Sequence, residues 1–223
     1  MTPMELSRIV RDQTPLMTTR MLLRPLRTDD ASAVFHYAHD PEVTKYTSWN
    51  AHSTVEESRR FIERTIAEYQ RGENAELAME LKSDKKMIGT CGLINLSADH
   101  CRGELVYAMA KEHWGGGLMG EALKATLAFG YGALQLNRIW AKVDADNMSG
   151  ILVLKRASWQ FEGTLRQDVK VRGMFRDVKL YSLLKKEFTS SPMAVQSRVA
   201  EKSQAGDDRG ILPFKKAKSG VAT

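Results

Sequence analysis

The sequence predicts one α/β (α+β) domain, a mixed and mostly antiparallel central sheet flanked by helices. Three observations carry this. A chain of 223 residues with 43% hydrophobic content can bury one sizeable core without disulfide or metal staples. Between Glu76 and Ala110 three apolar-alternating runs, "ELAMEL", "KMIGTCGLINL" and "GELVYAMA", follow one another with connections too short for a parallel crossover, so they pair antiparallel. After Ala110 the rhythm changes to helix, strand and short helix, with one clear crossover.

Taken in order, residues 1–17 form an N-terminal extension without an uninterrupted apolar signal core. "MLLRPLR" (Met21 to Arg27) alternates as a first strand. Thr28, Asp29 and Asp30 then open a helix that carries Val34, Phe35 and Ala38 on one face and stops before Pro41. A second helix is capped by Ser53 or Thr54, has Glu57 where a capping box needs it, and ends at Gly72. Its stripe of Phe61, Ile62, Ile66 and Tyr69 reads as core. After the three strands, with "SDKK" turning between the first two, a helix runs from about Leu118 to Leu134 and "NRIWAKVDAD" forms a strand. A short helix follows Asn147. Two last strands lie near "WQFEGTLRQ" and "DVKLYSLL", with "VRGMFR" as the turn region. The domain spans residues 18–188, and residues 189–223, dominated by Ser, Ala, Gly and Lys, read as a basic disordered tail.

Composition narrows the function classes. Cys91 and Cys101 have neither disulfide-scaffold numbers nor zinc-ligand spacing, so a reducing cytoplasm and no metal are expected. No apolar run reaches the roughly 18 residues of a membrane span. Half of the net charge of +6 sits in the tail, the body carries no groove-reading or single-strand-binding motif, and nucleic acid is not the expected partner. His36, His39, His52, His100 and His113 are scattered without a nucleophile motif, which disfavours triad hydrolysis.

"HWGGGLMGEAL" (His113 to Leu123) contains a literal G-x-G-x-x-G at Gly115, Gly117 and Gly120. Glycines before a helix let backbone N–H groups converge on an anion, because the first turn lacks intrahelical acceptors and the dipole favours negative charge there. A dinucleotide fold fits poorly: Glu104 lies in the preceding strand, "KEHW" separates that strand from Gly115, and an antiparallel meander comes first.

The element order, together with "RMLLRPLRTDD", "GELVYAMAKEHWGGGLMGEAL", "LNRIWAKVDADN" and "FEGTLRQ", resembles the GNAT acetyltransferases. Within them it looks like the branch of RimJ/RimL-type ribosomal-protein N-terminal acetyltransferases, over about Thr18 to Phe188. The resemblance implies a splayed parallel strand pair and acetyl-CoA as donor. It assigns the coenzyme A pyrophosphate to Trp114, Gly115, Gly116, Gly117 and Leu118, with Met119, Gly120 and Glu121 opening the helix. Ala108, Met109 and Ala110 would pair their backbone with the pantetheine arm, and Asn147 would bond that arm or a water. The family's Ser or Tyr proton donors fall here at Gly150 and Leu154, neither of which has a side-chain proton to donate.

Acetyl transfer needs a neutral amine, a proton acceptor and donors for the oxyanion. Glu104 is the general-base candidate or a solvent-facing strand charge, and the N–H of Met109 or Ala110 is the oxyanion donor. Tyr107 is a proton donor or a core ring, Ser149 a substitute acid or a helix cap. Trp49 and His52, in "SWNAHST", fall where the family places substrate loops. The expected activity is acetylation of a primary amine, a protein N-terminal α-amine first. The alternatives are a polyamine, aminoglycoside or other small amine, or a non-catalytic acyl-CoA-binding module. Monomer and homodimer both remain open.

Overall fold

The computed structural model describes residues 1–190, so the expected tail lies, from residue 191 onward, outside the described residues. The elements are α1 (Pro3–Arg11), β1 (Leu16–Met17), β2 (Met21–Pro25), α2 (Ala31–Ala38), α3 (Pro41–Thr44), α4 (Val55–Arg71), β3 (Ala75–Leu81), β4 (Met87–Ser97), β5 (Arg102–Met109), α5 (Leu118–Tyr131), β6 (Arg138–Asp144), α6 (Met148–Arg156), β7 (Gln160–Val171), β8 (Met174–Leu184) and α7 (Lys185–Ser190). The strands form one 8-stranded sheet in the order β1-β2-β3-β4-β5-β6-β8-β7.

Several boundaries differ from the sequence reading for physical reasons. The N-terminal extension contains a helix, α1, closed by a capping box in which Glu5 N–H donates to Thr2 Oγ1 at 3.2 Å and Thr2 N–H to Glu5 Oε2 at 2.7 Å. Its Leu6 and Val10 are buried in the main core. Thr28–Asp30 is a separate 3-10 turn ahead of α2, with the Asp30 carboxylate held by Arg24 and the Arg27 N–H. On α2, Tyr37 is buried with Val34 and Ala38, whereas Phe35 is partly exposed and stacks on His39. The terminal hairpin is longer than expected. Its strands continue to Val171 and Met174, and Arg172 and Gly173 at φ +49° and +81° make the two-residue turn.

Apolar side chains cover both faces of the sheet. One face, through Met21, Leu23, Leu77, Met79, Cys91, Leu93 and Leu105, packs on Leu123 and Leu127 of α5. The other, through Leu26, Ala78 and Ala110, packs on Val34, Tyr37 and Ile62 of α2 and α4. Beneath α2, Arg24 is 4% exposed and joins β2 to two carboxylates: Nη1 and Nη2 each lie 2.8 Å from an Asp30 oxygen, and Nε lies 2.6 Å from Glu80.

The feature that makes room for a ligand is in the middle of the sheet. β5 and β6 are parallel and pair only through Arg102, Gly103 and Glu104, against Arg138, Ile139 and Trp140. β5 stays on β4 as far as Met109, while β6 stays on β8 as far as Asp144. Past Glu104 the two strands therefore part.

Candidate active site

A cleft of about 1300 Å³ opens where β5 and β6 separate, lined by Glu104 to Met109, by Ala141 to Asp144, and by Trp114, Gly115, Met119, Asn147, Ser149 and Gly150. At its α5 end the backbone supplies the chemistry. Gly115 and Gly117 adopt φ +80° and +78°, and a Cβ built on Gly115, Gly116 or Gly120 would meet nothing within 4 Å. Among the described residues no acceptor takes the N–H groups of Gly115, Gly116, Gly117, Leu118, Met119 and Gly120. Open donors at a helix start, with no side chain in front of them, fit a diphosphate.

The loop is held from outside the motif. Trp114 Nε1 donates to the Met109 carbonyl at 2.8 Å, so the indole fastens the loop to the end of β5. Arg20, which the sequence reading did not single out, donates to the Gly116 carbonyl at 2.8 Å and to Glu121 Oε2 at 2.8 Å, and its own N–H donates to Glu121 Oε1 at 2.6 Å. Glu121 is thus occupied with Arg20, a positioning role. Burial pushes its carboxyl upward, but hydrogen bonds from Thr18 and Arg20 outweigh this and hold it below the usual range. Leu118 and Met119 bury their side chains in the core and offer only backbone.

Strand register corrects the pantetheine assignment. Ala110 N–H donates to the Ile88 carbonyl, and the register Gly89↔Met109, Thr90↔Ala108 makes the backbone of Ala108 and Ala110 face β4. Neither Ala108 nor Ala110 is free to pair with an arm in the slot, and Ala110 is not an oxyanion donor. The alternate residues, Leu105, Tyr107 and Met109, turn their backbone toward the gap. Asn147 has a further duty: its Oδ1 accepts from Gly150 N–H and Ser149 Oγ, each at 2.9 Å, so it caps α6 while still lining the cleft. Ser149 supports that cap.

Gly150 has a structural reason. A Cβ there would lie 2.8 Å from Asn147 Nδ2. The Tyr107 hydroxyl reaches toward this point from β5, 3.5 Å from the Gly150 carbonyl, and burial raises its phenol well above the usual range. Glu104 stands where the strands part and accepts from Asn95 Nδ2 at 2.8 Å.

The rest of the cleft lies under α2 and α4. Trp49 and His52 both line it, with ring centroids 5.6 Å apart, and His52 stands 6.2 Å from Phe61. His52 Nδ1 lies 2.8 Å from Ser58 Oγ, and burial lowers its ring below the ordinary histidine range. Arg172 at the hairpin tip donates to the carbonyls of Thr44 (2.6 Å) and Lys45 (3.4 Å), drawing β7 and β8 across to α3. Sequence reasoning missed Tyr37, Glu76 and Thr90 on this side; Glu76 Oε1 accepts from Thr90 Oγ1 at 2.7 Å.

A sheet opened beside a glycine-started helix defines the acyl-CoA N-acyltransferase class of fold. The acetyltransferase (GNAT) domain model matches residues 20–159, and the chain belongs to this family of N-acetyltransferases. It is 35% identical over 173 residues to the uncharacterized N-acetyltransferase p20 of Bacillus licheniformis, covering 78% of this chain and 97% of that one. It is 23% identical over 155 residues to a spermidine N(1)-acetyltransferase of Escherichia coli (strain K12), covering 70% and 81%. Among solved structures, RimL, a ribosomal L7/L12 alpha-N-protein acetyltransferase in complex with coenzyme A, shares the fold at a TM-score of 0.68 and 20% identity, over 77% of this chain and 98% of that one. GNAT acetyltransferases use acetyl-CoA, and the open N–H groups and the slot described above fit that donor. No helix among the described residues is long and apolar enough to cross a membrane.

Proposed function

We propose that this chain transfers acetyl from acetyl-CoA to a small cationic primary amine. The observation that carries the transfer is one slot with six open N–H groups at its α5 end and the Glu104 carboxylate where β5 and β6 part. Acetyl-CoA, when bound, supplies an acyl group on a thiolate that leaves readily. The residues of the chain do the rest. The N–H groups of Gly115 to Gly120 hold the diphosphate, the Leu105 carbonyl, the Tyr107 backbone and the Met109 N–H pair with the amide arm, and Trp114 and Arg20 keep the loop in place. Glu104 accepts the proton that the amine gives up, directly or through water. Tyr107, kept protonated by burial, offers its hydroxyl as a hydrogen-bond donor to the departing thiolate, beside a residue 150 that has no side chain to do so.

The lining of the acceptor side supports a small cation: it includes the rings of Tyr37, Trp49 and Phe61 and the carboxylates of Glu76 and Glu104, while its Arg64 is paired with Glu68. The relative named as a spermidine N(1)-acetyltransferase supports the same reading. A second reading, a protein N-terminal α-amine, is supported by the resemblance to ribosomal-protein enzymes and by the likeness to RimL. Labelled acetyl-CoA offered with a panel of small amines and N-terminal peptides, read by mass spectrometry, decides between them. The expected result is a higher kcat/KM on small amines. Preference for peptides would replace this acceptor with the second, and no transfer to any amine would leave an acyl-CoA-binding module.

A further inference from the structure

Glu76 is a carboxylate that the transfer chemistry does not use. It stands on the inner half of β3, at the wall between the main cleft and a pocket of about 230 Å³ behind it, and lines both. One oxygen accepts from Thr90, and no Lys, Arg or His lies within salt-bridge distance of it among the described residues. Arg64, the cation on the adjoining stretch of α4, is paired with Glu68 at 3.9 Å instead. Burial raises the Glu76 carboxyl above its usual range, against the Thr90 hydrogen bond and the Arg64 charge, which lower it, while the Glu68 charge adds to the rise. A negative group placed in a cavity with no cation in contact is costly unless a ligand supplies one.

Its place relative to Glu104 gives the ligand's shape. Glu76 is opposite Gly92, Gly92 is opposite Val106, and Glu104 lies two residues before Val106 on the same face as Ala108. Two strand spacings across and two residues along place the two Cα atoms about 12 Å apart. What lies between the carboxylates is the side chains of Ile94 and Val106 and the bare backbone of Gly92, and Tyr37, Trp49 and Phe61 line the same cleft. The surface is anionic at both ends and apolar in the middle.

Resting on the acetyltransferase reading of this cleft, we infer that Glu76 is the specificity-determining residue of the acceptor side: its carboxylate receives a second cationic group of the acceptor, one that is not acetylated. The matching class is an α,ω-diamine with a spacer of several methylenes. The amine to be acetylated lies at Glu104 and the far ammonium at Glu76.

The test is calorimetric titration of α,ω-diaminoalkanes and of monoaminoalkanes of equal length into protein saturated with coenzyme A, for the wild type, Glu76→Gln and Glu76→Asp. The wild type should bind the best diamine at least tenfold more tightly than its monoamine. Glu76→Gln, which keeps the shape and the Thr90 hydrogen bond, should bring this ratio close to one, and Glu76→Asp should shift the preferred spacer to a longer diamine. A wild-type ratio near one, or a ratio preserved in Glu76→Gln, overturns the inference. Because the readout is binding, it stands apart from turnover: diamine selectivity without acetyl transfer would remove the enzymatic reading and keep the site, and transfer without selectivity would do the reverse.

Discussion

The donor and acceptor sides of the cleft are built from different materials. The donor side is backbone: six N–H groups before and in the first turn of α5 and the gap-facing edge of β5, all within residues 105–120. The acceptor side is side chains drawn from α2, the segment before α4, α4 itself, β3, β4 and β5, including Tyr37, Trp49, Phe61, Glu76, Thr90 and Glu104. Backbone donors hold any diphosphate whatever the surrounding side chains, whereas a side-chain surface changes its preference with one substitution. This is why the donor follows from family membership and the acceptor needs this chain's own residues.

Breaking the acceptor roof should have the largest effect. Asp30→Ala removes one partner of the buried Arg24 guanidinium beneath α2, and should cost about 3–5 kcal/mol by denaturant unfolding. A loss below about 1 kcal/mol would mean that the network does not fasten α2. On the donor side, Gly117→Asp puts a non-glycine residue at φ +78° and a negative charge among the open N–H groups. Acetyl-CoA affinity should fall ~10²-fold or more, by calorimetry, with the protein still folded; unchanged affinity would take this loop out of the donor site.

Between the two sides, Glu104→Gln should lower turnover by ~10²-fold while sparing acetyl-CoA affinity. The deficit should narrow toward pH 10, as the free amine becomes neutral without help. A flat, wild-type pH profile would remove the base. Tyr107→Phe should lower kcat about tenfold with little change in KM, a smaller loss because a thiolate can leave unprotonated near its ordinary pKa of about 8.5. A change confined to KM would make Tyr107 a packing residue. The smallest effect concerns Glu121, whose carboxyl is held below its ordinary 4.5. A depressed folded value means that its contribution to stability is complete above pH 4.5 and is lost as pH falls through the lower folded value. Glu121→Gln should therefore flatten the acid limb of a stability-against-pH curve, and an unchanged limb would show that the Arg20 clasp carries no weight.

The two sides were also unequally legible. "HWGGGLMG" is contiguous, so glycine spacing ahead of a helix pointed directly to the open N–H groups that make it the candidate anion site. Its outer support was not visible, because Arg20 lies 96 residues from Gly116 and 101 from Glu121. The alternation of apolar residues located β5 but not its hydrogen-bonding parity, hence the assignment of Ala108 and Ala110 that register corrects. α1 went unread although Thr2 and Glu5 carry its capping box, since only Leu6 and Val10 mark a buried face. Trp49 and His52 were named only from where the resemblance places substrate loops, and both line the cleft. Nothing in the pattern of "ELAMEL" marks Glu76 as an interior group, and only the cover of α2 and α4 makes it one.

The most direct measurement is amide hydrogen exchange with and without coenzyme A at saturating concentration. The account predicts slowed exchange at Gly115 to Gly120 and at the gap-facing amides of Tyr107 and Met109, with Leu105, Ala108 and Ala110 unchanged because β6 already holds the first and β4 the other two. Saturated binding that left Gly115 to Gly120 unprotected would contradict the backbone-built donor site.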